Sequence, residues 1–381
     1  MTEVILPTNQ KASMEKARPN TSPTRSKVAV LHTRPSSVLE DIGNVMAMAD
    51  YRAHLPNDLA TLLKINISWQ HYYPACSTTP WQFEGVIKRL QSDGYGELIP
   101  IHNGTVVVDP IEGAKNNKHK IVEEKYGLES VFLDFPPARW IPYHPKTKML
   151  VLDKVFPDGF EIPEMFAGKN VVHLPTMKTH VFTTLTGAMK NAFGGLLNNN
   201  RHWTHSVIHE TLVDLLKIQK ELHPGIFAVA DGSFAGDGPG PRAMRWHAKN
   251  LLLASADQVA IDAVSAKIMG FDPMSIKFIR LAHEQGLGCG EIDEIEVVGE
   301  DIAGINWGFT NSENTLASHG QKLIYWGPLK RLENFLLRSR ITPWSFIASN
   351  IYHNNYWLPL IGRRRVRAAM KTDWGKLFQS Y

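Results

Sequence analysis

Residues 171–195 read VVHLPTMKTHVFTTLTGAMKNAFGG and carry the most unusual chemistry in the chain. The run VVHL is typical of a buried strand, and Pro175 predicts a turn directly after it. Lys178 and His180 follow this turn, at the end of a strand, where open α/β sheets place their ligands. The stretch therefore predicts a ligand site at the edge of a sheet.

The second half of this stretch favours an anionic ligand. Thr186 and Gly187 are small enough to let backbone N–H groups approach a bound group, and Lys190 and Asn191 follow them. Lysines, a histidine and exposed amides together suit a carboxylate or a phosphate. The alternative is that these residues form only a solvated strand end and an ordinary turn.

The strings LPTMKTH and TGAMKNAFGG resemble the signature of the DUF362 family, in which a lPKlKTH segment is followed by TGalKNlfG. The resemblance extends over roughly residues 27–303. The family has no settled biochemical role, so the resemblance implies a fold and a site and leaves the reaction open. Some relatives carry a ferredoxin-like module with clustered cysteines. Cys76 and Cys289 are too few for a four-thiolate iron–sulfur cluster, so no intrinsic cluster is expected.

Apolar and helical patterns alternate along residues 27–303 and predict an α/β fold with a largely parallel sheet and helices on both faces. Short apolar segments predict strands at residues 28–31, 62–67, 97–101, 148–153, 226–230 and 251–255. Periodicity and capping residues predict helices at residues 36–48, 81–92 and 258–269. Residues 1–26 are interpreted as a disordered leader and residues 304–381 as a basic, aromatic-rich extension.

Polar residues near other predicted strands are expected to join the site. Lys64 and Asn66 match the family's vllKPNlv segment, although isoleucine replaces its proline. Thr78 and Thr79 begin a helix, where free N–H groups receive an anion or merely a cap. Because the carboxyl ends of parallel strands meet at one edge, the sequence predicts a set of substrate-binding residues. They are Lys64, Asn66, Thr78, Thr79, Thr186, Asn191 and Asp237.

Two aspartates are candidates for partners of the site lysines. Asp231 ends a predicted strand before a Gly/Pro loop that matches the family's vvDai.ameG.GP pattern. It is placed to orient a lysine, bind a metal or accept a substrate hydroxyl, or only to cap the loop. Asp262 lies on an otherwise apolar helix, and since a buried carboxylate needs a partner, we expect a lysine of the site there.

The side chains of this site suit general acid/base chemistry. An imidazole titrates near neutral pH, so His180 is the expected proton carrier, with Lys178 or Lys190 polarising a carbonyl and Asp231 completing the catalytic set. This combination favours proton abstraction next to a carboxylate. The expected function is an isomerase, epimerase or lyase that acts on a small anionic metabolite.

A weaker resemblance supports the same chemistry. His180, Gly187 and Lys190 have the order and spacing of the HxxxxxxGxxK segment of nickel-pincer lactate-racemase-like proteins. In those proteins the histidine is linked to proton transfer and the lysine holds the cofactor. The resemblance implies the same roles for His180 and Lys190. The ilPGi element that follows in them is replaced here by NAFG.

Three histidines suggest a divalent metal. His202, His205 and His209 would share one helical face if the helix extends over all three, which is a spacing that suits metal binding. The alternative is an exposed, histidine-rich helix start with nothing bound. A metal- or redox-associated protein that works with a partner is therefore the second class of function.

The basic charge of the chain lies in residues 321–381. This tail has eleven Lys/Arg against Glu333 and Asp373, so its charge is +9, while the rest of the chain is −5 of the total +4. Its eleven aromatic residues suit docking onto the body of the chain, an anionic membrane surface or a nucleic acid. No nucleic-acid motif accompanies them, so nucleic acid is not expected.

The N-terminal sequence has no apolar signal-peptide core, and the chain has no long apolar run. Cytoplasmic residence is the expectation, with peripheral membrane attachment through the tail as the alternative. A membrane-docked binding module is thus the third class of function.

Overall fold

A computed structural model describes residues 25–104, 108–337 and 343–381. Residues 1–24 of the predicted leader lie outside this range. The strands are β1 (Lys27–His32), β2 (Thr61–Ile65), β3 (Leu98–His102), β4 (Val131–Phe132), β5 (Trp140–Tyr143), β6 (Phe160–Pro163), β7 (Asn170–Leu174), β8 (Thr176–His180), β9 (Thr184–Leu185), β10 (Ile226–Asp237), β11 (Arg245–Ser255) and β12 (Glu296–Gly299).

The α-helices alternate with these strands and then fill the C-terminal tail. They are α1 (Val38–Met48), α2 (Tyr51–His54), α3 (Pro80–Ser92), α4 (Pro110–Asn116), α5 (His119–Tyr126), α6 (Leu152–Val155), α7 (Gly187–Asn191), α8 (Phe193–Leu196), α9 (Ile208–Leu222), α10 (Gln258–Met269), α11 (Lys277–Glu284), α12 (Leu316–Tyr325), α13 (Glu333–Leu337), α14 (Pro343–Asn350), α15 (Arg363–Ala369) and α16 (Asp373–Ser380). A π-helix, Ile351–Gly362, joins α14 to α15.

One large sheet, with strand order β12-β1-β11-β10-β7-β2-β3-β4, organises the protein. The pairs from β10 to β4 are parallel, as is β1 with β12, whereas β11 runs antiparallel to both β1 and β10. β8 pairs parallel with β10 beyond β7. The predicted α/β fold with a largely parallel sheet is confirmed.

The sheet is covered on both faces because its strands are apolar on both sides. Neighbouring residues contribute to opposite cores, as shown by Leu62 and Leu63 on β2 and by Val171 and Val172 on β7. The first core packs against α9, α10 and α11, and the second against α1 and α3. Such continuous apolar runs are characteristic of parallel strands buried on both faces.

Two local predictions were wrong for identifiable reasons. Residues 150–152 do not form a strand, because their three successive N–H groups donate to the buried carboxylate of Asp214 and begin α6. The extended chain also continues past Pro175, since the carbonyl of that proline accepts a hydrogen bond from the N–H of Asp231 (3.0 Å). Lys178 and His180 therefore lie within β8 and not in a loop.

The end of the tail is docked on the body of the protein. Trp357, Trp374 and Phe378 are buried in the second core. The indole N–H of Trp374 donates to Asn250 Oδ1 (2.7 Å), and the ring of Phe378 stacks on that of Tyr72 with centroids 3.7 Å apart. Much of the aromatic content of the tail is thus explained by packing within the chain.

The beginning of the tail packs elsewhere, close to His180. Tyr325 and Trp326, at the end of α12, contact the ring of Phe182, and the indole N–H of Trp326 donates to Ser206 O (2.9 Å).

Among the described residues, no helix has both the length and the apolar character needed to cross a bilayer.

Candidate anion-binding site

Four basic side chains gather where β2, β3 and β8 end. We call them the cation cluster: Lys64 on β2, Lys178 on β8, Lys190 on α7, and Arg201 in the 3₁₀ helix Asn199–Val207. Arg201 repels both Lys64 and Lys190, and Lys190 repels Lys178. Lys178 is fully buried, Lys64 and Arg201 are at most 7% exposed, and Lys190 is partly buried.

The cation cluster is held by neutral oxygens. Lys64 Nζ donates to Ile65 O (2.5 Å), and Lys178 Nζ donates to Cys76 O (3.0 Å) and Thr176 Oγ1 (2.6 Å). The guanidinium of Arg201 donates to Gly104 O. In the described parts of the chain, no carboxylate oxygen lies within 4.0 Å of the side-chain nitrogens of the cluster.

Burial changes the protonation of these lysines, and the attraction of Asp134 offsets only part of its effect on Lys64. Desolvation, with repulsion from neighbouring cations, lowers the pKa of Lys64 and of Lys178 from 10.5 to about 7. The same effects lower the pKa of Lys190 to about 8. A lysine with such a pKa is able to accept a proton near neutral pH, and an incoming anion would favour its charged form.

Helix α7, which carries Lys190, is positioned by the buried Asp262. Its carboxylate accepts hydrogen bonds from Ala188 N (2.5 Å) and Met189 N (3.0 Å), at the start of the helix. Gly187 makes this approach feasible, because its φ is +64° and an added Cβ would lie 2.4 Å from Asp262 Oδ1. The expectation that Asp262 pairs with a lysine is therefore corrected, since its partners are backbone amides.

The end of α7 is tied to the sheet by Asn191. Its amide Nδ2 donates to Lys64 O (2.9 Å) and to His173 Nδ1 (3.3 Å), and the other ring nitrogen of His173 contacts Gln219 Oε1 (2.7 Å). Asn191 thus connects α7 with β2 and β7 and places Lys190 near Lys64. Its side chain positions the site and does not point freely at a ligand.

His180 lies beside the cation cluster. Its environment favours the role of a neutral hydrogen-bond donor over that of a proton acceptor. Burial and repulsion from Lys190, with His205 and Lys178 adding to it, hold the pKa of His180 well below 6.5. The ring is therefore neutral near pH 7. Since Nδ1 accepts the N–H of Phe182 (3.2 Å), the ring proton is on Nε2. The role of proton acceptor, which the sequence suggested for His180, suits the lysines better.

Asp231 pairs with Thr176 on β8 but forms no ion pair with a lysine of the described residues. Its buried carboxylate accepts hydrogen bonds from Thr79 Oγ1 (2.5 Å), Trp81 Nε1 (3.0 Å) and Ser233 N (2.6 Å). Thr79 also accepts from Gln82 N as the N-cap of α3. These contacts join α3 to β10, so the structure supports a positioning role for both residues rather than contact with a ligand.

Most of the other predicted binding residues are also engaged in the scaffold. Thr78 Oγ1 donates to Leu174 O (2.7 Å), and Asn66 Nδ2 donates to Cys76 O (3.3 Å). Asp237 is the last residue of β10, directly after the register partner of Lys178, and its carboxylate is paired with Arg245 (2.9 Å).

Thr186 differs from these residues. Its buried hydroxyl has no hydrogen-bond partner within the described residues, and its N–H donates to Lys178 O (3.0 Å). A buried hydroxyl without a partner in the described residues, on a residue bonded to the backbone of Lys178, is a group that a ligand oxygen would satisfy.

The three histidines do not share a helical face. His202 and His205 lie in the 3₁₀ helix and His209 in α9. His205 Nδ1 contacts His202 O (2.9 Å), and the His209 ring packs against that of Phe278. A different group in the described part of the chain brings together side-chain atoms that are able to bind a metal. The nitrogen, sulfur and oxygen atoms of His283, Cys289 and Glu294 lie within 4.8 Å of one another. No sequence spacing had indicated that group.

Arg201 is the residue of the site that the sequence did not reveal. It follows the polar run LNNN and precedes the three histidines, a pattern typical of a polar turn. Its guanidinium enters the site because the 3₁₀ helix turns it toward Gly104, at the end of β3. No local pattern signals such a contact between segments 97 residues apart.

Comparisons with known proteins identify one relative and one family. A thylakoid-associated protein of Synechocystis sp. is 30% identical over 121 residues, which cover 31% of this chain and 37% of the relative. The chain therefore spans little more than a third of that relative's length. No solved structure matches the chain. The profile of the domain of unknown function DUF362 matches residues 61–267, which include β2, β7, β8, α7 and most of α10. Because this match covers more than half of the chain, the protein belongs to the DUF362 family.

Proposed function

We propose that the protein is an enzyme that binds a small anionic metabolite in the cation cluster and transfers a proton on it, as an isomerase, epimerase or lyase does. The observation that carries this proposal is the burial of Lys64, Lys178 and Arg201 with no carboxylate oxygen of the described residues within 4.0 Å of their side-chain nitrogens. Asp134 attracts Lys64 and Arg201 without forming an ion pair with either of them. Buried cations are costly unless they are paired. An anionic ligand would supply the missing charge.

The proton transfer is assigned to a lysine. Neutral Lys64 or Lys178, each with a pKa of about 7, would take the proton from the carbon next to the substrate carboxylate. The remaining cations would stabilise the negative charge that develops on the carboxylate oxygens. The Nε2–H of His180 would donate a hydrogen bond to the same group.

Solvent exchange tests this reaction. The protein is incubated in D₂O with a panel of short 2-hydroxy and 2-amino carboxylates and their phosphate esters, and deuterium at the carbon next to the carboxylate is measured by NMR. We expect exchange of at least one compound, with a rate at low ligand concentration that rises through about pH 7, because the lysine of the free protein must be neutral. At saturating ligand the rise is expected at higher pH, because the bound anion favours the charged lysine.

Variants of the lysines separate catalysis from folding. Lys64→Met or Lys178→Met is expected to abolish the exchange, whereas Lys88→Met, an exposed position on α3, leaves it unchanged. Exchange that survives in both cluster variants would contradict the role of the lysines. A panel that binds and shows no exchange would contradict the enzymatic proposal.

A second proposal concerns attachment to membranes. Ten of the thirteen exposed large apolar side chains in the described residues lie between residues 323 and 361. Exposed basic residues, including Lys330, Arg331, Arg363 and Arg364, accompany them. Apolar side chains with basic neighbours suit an anionic bilayer surface. The thylakoid association named for the Synechocystis relative supports this proposal.

Vesicle sedimentation tests the attachment. We expect the full chain to bind vesicles that contain anionic phospholipid and to bind neutral vesicles weakly, with binding that decreases at high salt. Leu360→Asp should weaken binding about tenfold or more, because a leucine is kept out of the bilayer and a charge is added. Ile111→Asp, at an exposed apolar position elsewhere, is the matched control. Equal effects of both substitutions would contradict docking through the tail.

A further inference from the structure

The backbone positions that carry the cation cluster are spread along the sheet. In the sheet, Lys64 on β2 is paired with His173 on β7, and Lys178 lies five residues beyond His173. β7 and β8 both run parallel along β10, so Lys178 continues the path of β7. At a rise of about 3.3 Å per residue, the Cα atoms of the two lysines are up to roughly 15 Å apart.

Each end of the cluster has its own set of polar groups. At one end, Lys64 lies with Arg201, whose guanidinium is anchored at Gly104, the residue two positions after β3. At the other end, Lys178 lies with His180 and with Thr186, whose hydroxyl is buried and has no partner within the described residues.

Lys190 lies between these two ends. Its charge repels that of Arg201 on one side and that of Lys178 on the other. Its Nζ lies 5.4 Å from the ring centroid of Phe193 and donates no hydrogen bond within the described residues. A carboxylate bound at one end would leave the lysine at the other end with neutral oxygens as its hydrogen-bond partners within the described residues.

We infer that the ligand carries two anionic groups joined by a short linker, one bound by Lys64 and Arg201 and the other by Lys178, His180 and Thr186. Dicarboxylates, phosphorylated carboxylates and diphosphates share this chemistry. The inference rests on the proposed binding of a small anion and specifies its class. A ligand with two negative charges would also compensate more of the four cations than a monocarboxylate can.

Titration calorimetry on the full chain tests the inference with matched pairs of probes. Succinate is compared with butyrate, glutarate with pentanoate, and inorganic diphosphate with inorganic phosphate. We expect at least one bis-anion to bind about tenfold or more tightly than its partner, since a second charged hydrogen-bonding group adds at least this much.

Variants at the two ends identify which group contacts which anion. Lys178→Met and Arg201→Met should each remove the advantage of the bis-anion while weak binding of the monoanion remains, and Lys88→Met should preserve the advantage. Thermal unfolding checks that each variant is folded. Rescue of the advantage by Lys178→Arg would support a role of its charge.

The outcomes separate this inference from the proposed function. If monoanions bind as tightly as bis-anions and Lys190→Met abolishes both, the anion site stands and the two-group ligand is overturned. If none of the six probes binds, the anion site is overturned as well. A bis-anion advantage that persists in both end variants would overturn the assignment of the two ends.

Discussion

A Lys190→Met variant is expected to be more stable than the wild-type protein at pH 6 and to lose most of its affinity for small anions. Lys190 Nζ donates no hydrogen bond within the described residues, so methionine leaves no acceptor unpaired there. The substitution removes the buried ammonium group, and with it the cost of desolvating that charge and its repulsion by Arg201. We expect a gain of about 1–2 kcal/mol, reduced by solvent screening of this partly exposed group and by loss of its contact with the Phe193 ring.

The gain must depend on pH in a defined direction. The pKa of Lys190 is lowered from 10.5 to about 8 in the folded protein, so its charged form destabilises the fold. This cost is fully present below about pH 8, diminishes as the pH rises toward 10.5, and is absent above it. Denaturant unfolding at pH 6 and pH 10, with calorimetric titration of phosphate, measures both effects.

Lys88→Met serves as the control for this experiment, because Lys88 is exposed on α3. Its stability should change little and its anion binding should remain. If Lys190→Met were less stable than this control at pH 6, Lys190 would have a stabilising partner, and the argument for an uncompensated cluster would fail.

A Gly187→Ala substitution is expected to destabilise the protein by about 3 kcal/mol or more and to abolish anion binding. The φ of Gly187 is +64°, which is unfavourable for alanine, and the added Cβ would lie 2.4 Å from Asp262 Oδ1. Either the carboxylate moves and abandons the N–H groups of Ala188 and Met189, or α7 moves and carries Lys190 away. Both outcomes leave buried polar groups unpaired.

Gly286→Ala is a matched control for this prediction. Gly286 has nearly the same φ, +66°, but no atom lies within 4 Å of an added Cβ, so only the backbone cost of about 1 kcal/mol is expected. Denaturant unfolding of both variants and phosphate titration provide the comparison. Equal losses of stability would show that the contact with Asp262 does not restrict this position.

The scaffold of the site follows from features that are local in the sequence. Helix α10 has the predicted bounds, Gln258–Met269, because Asp257 caps its first N–H groups and Gly270 adopts the left-handed conformation at its end. The apolar runs around Leu62 and Val171 likewise predicted β2 and β7. These signals act over a few residues, so the sequence contains them in full.

The hydrogen-bond partners of individual buried polar residues could not be predicted from the sequence. Asp262 and Asp231 are both buried carboxylates, and each was considered a partner of a lysine. One binds the amides of α7 and the other binds Thr79 and Trp81, because the turns and strands that approach them present those donors first. Which donors surround a carboxylate depends on segments that are distant in the chain.

The sequence by itself determined the α/β class, most elements of the sheet and the stretch that contributes Lys178, His180 and Lys190, since hydrophobic periodicity and local motifs specify them. Only the tertiary structure brought Arg201 to the cluster, kept carboxylates of the described residues more than 4.0 Å away and lowered the pKa of His180 well below its usual range. Burial and the neighbourhood of other charges decide these properties. Both arise when β2, β8, α7 and the 3₁₀ helix meet, and neither is encoded in any one segment.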